Sequence, residues 1–125
     1  MGHVGATLAC VRIEGLVFAG IASSDPRGLA GFFADVLGIE RVEEEGYARF
    51  VFSNGSSIAV VPPDWIAPPS DTNLGFLVDD VEAATAELRA RGIEPEGALQ
   101  ANNGHRYQHF RAADGRVFEL LDRRV

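Results

Sequence analysis

Residues 47–61 read YARFVFSNGSSIAVV, and residues 107–121, which lie 60 positions further on, read YQHFRAADGRVFELL. Each stretch holds two runs of alternating apolar residues with a turn pair between them, Asn54-Gly55 in the first and Asp114-Gly115 in the second. Such a pair between two alternating runs is the strongest short-range signal for a β-hairpin. The two stretches therefore predict two related hairpins, one in each half of the chain.

A strand and a helix are predicted before each hairpin. The strand Leu16–Ala22 precedes a helix over residues 25–38, and the strand Asn73–Val78 precedes a helix over residues 80–92. Each helical range begins with an aspartate and ends with a glycine, which are typical boundary residues. Apolar residues recur at helical spacing between these boundaries. The order of strand, helix and hairpin thus occurs twice.

This repeat predicts an α+β fold in one domain over residues 1–125, built from two βαβββ modules. We place the first module at about residues 12–61, the second at about 73–122, and a linker at 62–72. Four prolines make the linker extended and fairly stiff. Its Trp65 is either a plug packed on the edge of the core or a lid over a pocket, and we favour the plug.

Alternation along the strands assigns their two faces. We predict that the apolar faces pack under the helices and that the opposite faces line a concave surface. That surface carries Phe18, Tyr47, Arg49, Asn73, Tyr107, His109 and Glu119. Apolar walls with a few convergent polar groups suit a small-molecule pocket, whereas a solvated outer sheet face is the alternative. We favour the pocket because apolar residues flank Glu119 and because Phe18 is poorly suited to exposure.

Composition excludes several classes of partner. The net charge of −7 argues against nucleic acid and anionic membrane surfaces, which both need clustered lysine and arginine. No apolar run is long enough to cross a bilayer, and the N-terminus does not resemble a signal peptide. The single cysteine, Cys10, permits no disulfide within one chain, which favours a reducing, cytoplasmic compartment. Its apolar surroundings in sequence indicate a buried, inert thiol.

The order of these motifs resembles the glyoxalase/bleomycin-resistance/extradiol-dioxygenase superfamily, also called the vicinal-oxygen-chelate superfamily. The resemblance covers residues 16–122 and is most specific at Phe32–Gly38 and at Asp114–Leu120. It implies that the two modules curl into cupped mixed sheets around a cavity, with the helices on the convex face. It also implies that chains pair as homodimers and that catalytic members hold a divalent metal in the cavity.

The resemblance also implies where metal ligands would lie. The four positions correspond here to Phe18, Ala59, Asn73 and Glu119, of which only Glu119 is an ordinary ligand. No metal or other cofactor is therefore expected. A displaced site formed by His105, His109 and Glu119 is a less favoured alternative, with His105 placed in a flexible loop at the cavity rim.

Two functions follow from the resemblance and the pocket. The first is a metal-free protein that binds a small, partly aromatic or apolar molecule. Its ligand-binding residues would be Phe18, Tyr47, Arg49, Trp65, Asn73 and Tyr107. The second is a lyase or isomerase acting on a small carbonyl compound, with Glu119 and His109 as general acid and base. A non-catalytic alternative is that Glu119 simply pairs with Arg49 or His109 and fills the cavity.

Overall fold

The computed structural model of the chain describes residues 11–66, 68, 70–102 and 104–124. Its strands are β1 (Gly15–Ala22), β2 (Arg41–Glu44), β3 (Tyr47–Val51), β4 (Ser57–Val61), β5 (Thr72–Leu77), β6 (Glu96–Asn102), β7 (His105–Arg111) and β8 (Val117–Asp122). Its helices are α1 (Pro26–Gly31), which continues as a π-helical turn (Phe32–Val36), and α2 (Val81–Ala90), with a 3-10 turn at Pro63–Trp65. The prediction for Cys10 lies outside the described residues.

The eight strands form one mixed sheet in the order β2-β3-β4-β1-β5-β8-β7-β6. Strands β1 and β5 pair in antiparallel fashion at its centre, β1 pairs with β4 in parallel, and β5 pairs with β8 in parallel. The order is therefore the same when read outward from the centre on either side. The predicted repeat of strand, helix and three strands appears as this approximate twofold symmetry.

The two hairpins predicted at Asn54-Gly55 and Asp114-Gly115 are confirmed. In the first, Gly55 N–H donates to the carbonyl of Phe52 at 3.0 Å, and in the second Gly115 N–H donates to that of Ala112 at 2.9 Å. Both glycines have a left-handed backbone, with φ of 88° at Gly55 and 90° at Gly115. Glycine adopts this conformation without a steric penalty, and the glycine in each turn therefore favours the hairpin.

The helices pack on one face of the sheet, as predicted. Ala30 of α1 lies against Phe50 and Val60, while Val81 and Ala84 of α2 lie with Phe110 and Leu120. The alternating residues Tyr47, Arg49, His109 and Glu119 consequently face the other side of the sheet. The helices thus leave that opposite face free to form a cup.

The first helix differs from its prediction at its C-terminal half. The α-helical pattern ends at Gly31, and Leu37 N–H then donates to the carbonyl of Phe32, five residues back, at 3.1 Å. This wider π-helical turn changes the phase of the side chains. As a result Val36 and Leu37, which are among the apolar residues at helical spacing between residues 25 and 38, are exposed.

Asp122, at the end of β8, links the first turn of α2 to strand β7. The fully buried carboxylate accepts hydrogen bonds from Val81 N–H at 2.7 Å and from Arg106 Nη2 at 2.6 Å. Arg106 also contacts Glu82 at 2.6 Å and Asp80 at 3.2 Å. Through these contacts the carboxylate holds the first turn of α2 against strands β7 and β8.

No helix in the described part of the chain has the length and apolar character needed to cross a membrane.

Candidate functional site

The concave face of the sheet encloses a cavity of about 260 Å³. All eight residues predicted for the site line it, namely Phe18, Tyr47, Arg49, Trp65, Asn73, Tyr107, His109 and Glu119. They come together for two reasons. Side chains alternate along β3, β7 and β8, and the central strands β1 and β5 are paired with each other. The structure therefore gathers these residues in one place, while their roles remain proposals.

The register of the sheet shows which positions in the two modules are equivalent. Gly20 in β1 lies beside Ala59 in β4, and Gly75 in β5 lies beside Glu119 in β8. The same relation places Phe18 in the first module where Asn73 stands in the second. One half of the cup thus carries Phe and Ala at the positions where the other half carries Asn and Glu.

The polar half of the cup centres on three side chains from three strands. Nδ2 of Asn73 lies 3.0 Å from Oε1 of Glu119 and 3.2 Å from Nε2 of His109. The distance between His109 Nε2 and Glu119 Oε1 is 3.3 Å. An unprotonated Nε2 can accept from the amide, whereas a protonated Nε2 can donate to the carboxylate. The partner of Nε2 thus depends on the tautomer of the His109 ring.

Asn73 has one buried acceptor that is not satisfied. Among the described residues its Oδ1 has no hydrogen-bond partner, although it is shielded from solvent. Turning the amide over would set Oδ1 against the carboxylate of Glu119 at the 3.0 Å position and would not remove the problem. Such an atom costs about 1–3 kcal/mol of stability. The Asn73 amide thus contacts Glu119 and His109 through its nitrogen, while its oxygen is unpaired among the described residues, a combination that occurs at functional sites.

The other half of the cup is aromatic and aliphatic. The rings of Tyr47 and Trp65 lie 5.7 Å apart, and Trp65 is 54% exposed while it also lines the cavity. The prediction that Trp65 plugs the edge of the core is therefore wrong. The 3-10 turn of Pro63–Trp65 places its ring at the rim instead, next to Ile66, which is buried behind it.

Arg49 does not pair with Glu119, which contradicts one form of the non-catalytic alternative. Its Nε donates to Glu44 at 2.7 Å, in the neighbouring strand β2. His109 holds the equivalent place in β7, and its partner is Glu119 on the other side. The two modules therefore direct equivalent side chains toward different acids, and within the described part of the chain no arginine pairs with Glu119.

The pKa of Tyr107 depends on its burial and on the charge of its neighbours in the cup. Burial raises the pKa of the Tyr107 phenol above its ordinary value, and the nearby groups Glu119 and Tyr47 raise it further. A negative charge on Glu119 opposes formation of a second negative charge on the phenol. Tyr107 is therefore protonated at neutral pH and can act as a hydrogen-bond donor to a ligand.

The residues at the four positions where the resemblance implies metal ligands do not fit a divalent metal. Phe18 and Ala59 offer no donor atom, and Asn73 turns its amide nitrogen, not its oxygen, toward Glu119. Within the described residues no group of three His, Cys, Asp or Glu side chains is placed to hold an ion. His105 lines the cavity but does not complete a displaced site with His109 and Glu119.

The loop expected between residues 102 and 105 is flanked by paired strands, since β6 ends at Asn102 and β7 begins at His105. Asn102 and His105 are partners across β6 and β7, and both line the rim of the cavity. Reasoning from sequence also missed Ile66 and Leu121 as cavity residues. The alternation along β8 was a usable signal for Leu121, because it places Leu121 on the same face as Glu119.

Gly75 leaves space for the polar half of the cup. A Cβ atom there would lie 2.9 Å from both Leu121 Cδ2 and Phe18 Cβ, and 3.2 Å from Glu119 Cγ. We expect Gly75→Ala to lower the free energy of unfolding by about 1–3 kcal/mol in urea titrations, because the packed neighbours must move. Gly20→Ala is the matched control, since its Cβ would meet nothing closer than Phe18 ring carbons at 3.4 Å. Equal effects of the two substitutions would contradict this account.

Comparison with known proteins agrees with this architecture. The family model described as the Glyoxalase/Bleomycin resistance protein/Dioxygenase superfamily matches residues 15–120. No curated protein matches the sequence at a significant level.

Several solved structures share the fold. A superfamily member from Vibrio splendidus 12B01 has 20% identity and a TM-score of 0.64, covering 86% of this chain and 99% of its own. Methylmalonyl-CoA epimerase from Mycobacterium tuberculosis has 20% identity and a TM-score of 0.64, covering 94% and 93%. The Mn(II)-bound glyoxalase from Novosphingobium aromaticivorans has 19% identity and a TM-score of 0.72, covering 89% and 38%. At these identities the likeness establishes the fold alone and confirms the predicted glyoxalase-like class.

Proposed function

The chain belongs to the Glyoxalase/Bleomycin resistance protein/Dioxygenase superfamily, and from this premise we propose that it binds a small molecule in its cup without a metal ion. The molecule has an apolar or aromatic body and a polar group at one end. The observation that carries the proposal is the division of one cavity into an aromatic half and a hydrogen-bonding half. Specific ligand pockets combine such walls with a few placed polar groups.

The chemistry of each half supports this assignment. Phe18, Tyr47 and Trp65 offer ring faces and edges to a planar or apolar body. Tyr107 offers a phenolic donor, and the carboxylate of Glu119 offers acceptor oxygens. A volume of about 260 Å³ suits a small metabolite better than a drug-sized molecule.

A second candidate is acid–base catalysis, and the contact of Glu119 with His109 supports it. A buried carboxylate and a half-buried imidazole 3.3 Å apart face the same cavity, and no arginine among the residues that the structure describes pairs with the carboxylate. Such a pair can remove a proton from a carbon beside a carbonyl group and return it elsewhere. The enzyme would then be a lyase or isomerase acting on a small carbonyl compound.

Binding can be tested with the apolar fluorophore N-phenyl-1-naphthylamine. We expect its emission to rise on binding while the emission of Trp65, the single tryptophan, falls. Tyr47→Ala should weaken binding about tenfold, because it removes one aromatic wall of the cup. Val36→Ala is the control for adsorption to the exposed apolar turn and should leave the affinity unchanged.

Two results would count against the proposal. If Val36→Ala weakened binding and Tyr47→Ala did not, the fluorophore would bind outside the cup. About one metal ion per chain, measured by elemental analysis of protein purified without a chelator, would contradict the metal-free part of the proposal.

We also propose that the protein is a cytoplasmic homodimer. The exposed apolar side chains of the π-helical turn, at Phe32, Val36 and Leu37, support pairing because burying them would be favourable. The single cysteine is consistent with a reducing compartment.

A further inference from the structure

Arg123 lies at one end of the cup and extends from the second module to the first. It follows directly after β8, and its Nη2 atom lies 3.3 Å from the point that a Cβ at Gly55 would occupy. Gly55, in the turn between β3 and β4, lines the cavity. The guanidinium of Arg123 therefore stands beside the mouth of the cup, although its backbone belongs to the opposite module.

The charge of Arg123 is not compensated within the described part of the chain. Several other arginines of the second module pair with an aspartate or glutamate, as seen for Arg106, Arg111, Arg116 and Arg124. Arg49, which lines the cavity itself, is paired with Glu44. Arg123 is exposed and makes no ion pair with a described residue. Arg12 and Arg27 also make no ion pair with a described residue, so it is the position of Arg123 beside the cavity-lining Gly55 that singles it out.

We propose that Arg123 forms an anion subsite, so that the ligand of the cup carries a carboxylate or phosphate group at this mouth. The planar guanidinium can bind either group through two parallel hydrogen bonds. The apolar walls of the cup offer no such donors. The inference rests on the proposed binding function, because it assigns one end of the same ligand.

The spacing along the chain separates the backbone positions of the two polar residues. Arg123 follows Glu119 by four residues, which corresponds to about 13 Å along an extended strand. A ligand that reaches both groups must be elongated, with its anionic end at Arg123 and its hydrogen-bonding end near Glu119. The aromatic side chains of the cup then contact the segment between the two ends.

A matched pair of fluorophores tests the subsite. 8-Anilinonaphthalene-1-sulfonate is N-phenyl-1-naphthylamine with an added sulfonate, so the two probes differ in one anionic group. We expect Arg123→Met to weaken binding of the sulfonate about three- to tenfold and to leave the neutral probe unchanged. Arg124→Met, which removes an arginine already paired with Asp79, should affect neither probe.

The alternatives give different results. If Arg123→Met weakens both probes equally, Arg123 shapes the mouth without recognising charge, and the inference is wrong while the binding function stands. If the sulfonate loses no affinity, the inference is also wrong. If neither probe binds the wild-type protein, the proposed function itself is contradicted.

A direct titration decides the question without any apolar probe. Acetate and inorganic phosphate are added separately while the Nε–H resonance of Arg123 is followed by ¹⁵N NMR. A saturable shift that sodium chloride at the same ionic strength does not reproduce supports the subsite, and the tighter of the two anions identifies the preferred group. No saturable shift with either anion would overturn the inference.

Discussion

Replacing Asp122 by alanine is expected to lower the free energy of unfolding by about 3 kcal/mol, as removal of one partner from a buried ion pair does. The carboxylate is fully buried and accepts from Arg106 and from the backbone of Val81. The loss lies at the lower end of the usual range because Arg106 keeps its contacts with Glu82 and Asp80. Urea denaturation followed by circular dichroism measures it.

Asp79→Ala is the matched control for this change. Asp79 pairs with Arg124 at 2.9 Å on the surface, and removing an exposed pair costs less than about 1 kcal/mol. Equal losses for the two alanine variants would show that the buried pair is not what fixes the start of α2.

The same carboxylate predicts part of the acid sensitivity of the fold. Burial acts to raise the pKa of Asp122, but hydrogen bonds from Arg106 and from the backbone of Val81 and Arg124 outweigh it, and the pKa is lowered. The stabilisation is therefore complete above the unfolded-state pKa, near about pH 4, and is lost as the pH falls toward the folded-state pKa. Asp122→Ala should accordingly lose less stability than the wild type on acidification.

Glu119→Gln is expected to lower the pKa of Tyr107 and, in an enzyme, to abolish most of the activity. Glutamine keeps the shape of the side chain but removes the charge that disfavours the tyrosinate. The change is measured by absorbance at 295 nm during alkaline titration. A Tyr47→Phe background leaves Tyr107 as the only tyrosine. Glu94→Gln, which alters an exposed acid paired with Arg89, is the control and should leave the titration unchanged.

Activity separates the two candidate functions at the same residue. If Glu119 is the general acid or base, Glu119→Gln should reduce turnover of a carbonyl substrate by at least about a hundredfold. Affinity for a neutral probe held by the aromatic half should change little. Retention of both turnover and the Tyr107 pKa would show that Glu119 has no chemical role in the cup.

Local signals were sufficient to predict the architecture. The turns at Asn54-Gly55 and Asp114-Gly115 depend on two adjacent residues, and strand alternation depends on spacing alone. These two regularities placed Glu119, His109 and Tyr47 on one concave face. The family resemblance then implied that Phe18 and Asn73 occupy matching positions, in agreement with the register of the sheet.

Partner choice among side chains could not be predicted in the same way. Arg49 could have reached Glu119, but the pairing of β2 with β3 sets it beside Glu44. Arg106 and Asp122 lie 16 residues apart and meet only because β7 and β8 pair in one particular register. Such contacts depend on the twist and register of the whole sheet, and no short stretch of sequence encodes them.

The near-twofold sheet has a consequence for stereochemistry. Its two halves share a backbone arrangement, yet one presents Phe18 and Ala59 where the other presents Asn73 and Glu119. A molecule with two identical ends therefore has one end whose polarity does not match its half of the cup. A molecule with one apolar and one polar end has a single favoured orientation. With its long axis fixed in this way, Glu119 faces a single side of that molecule. Mirror-image compounds that differ at the atom beside Glu119 are thus distinguishable to this cup.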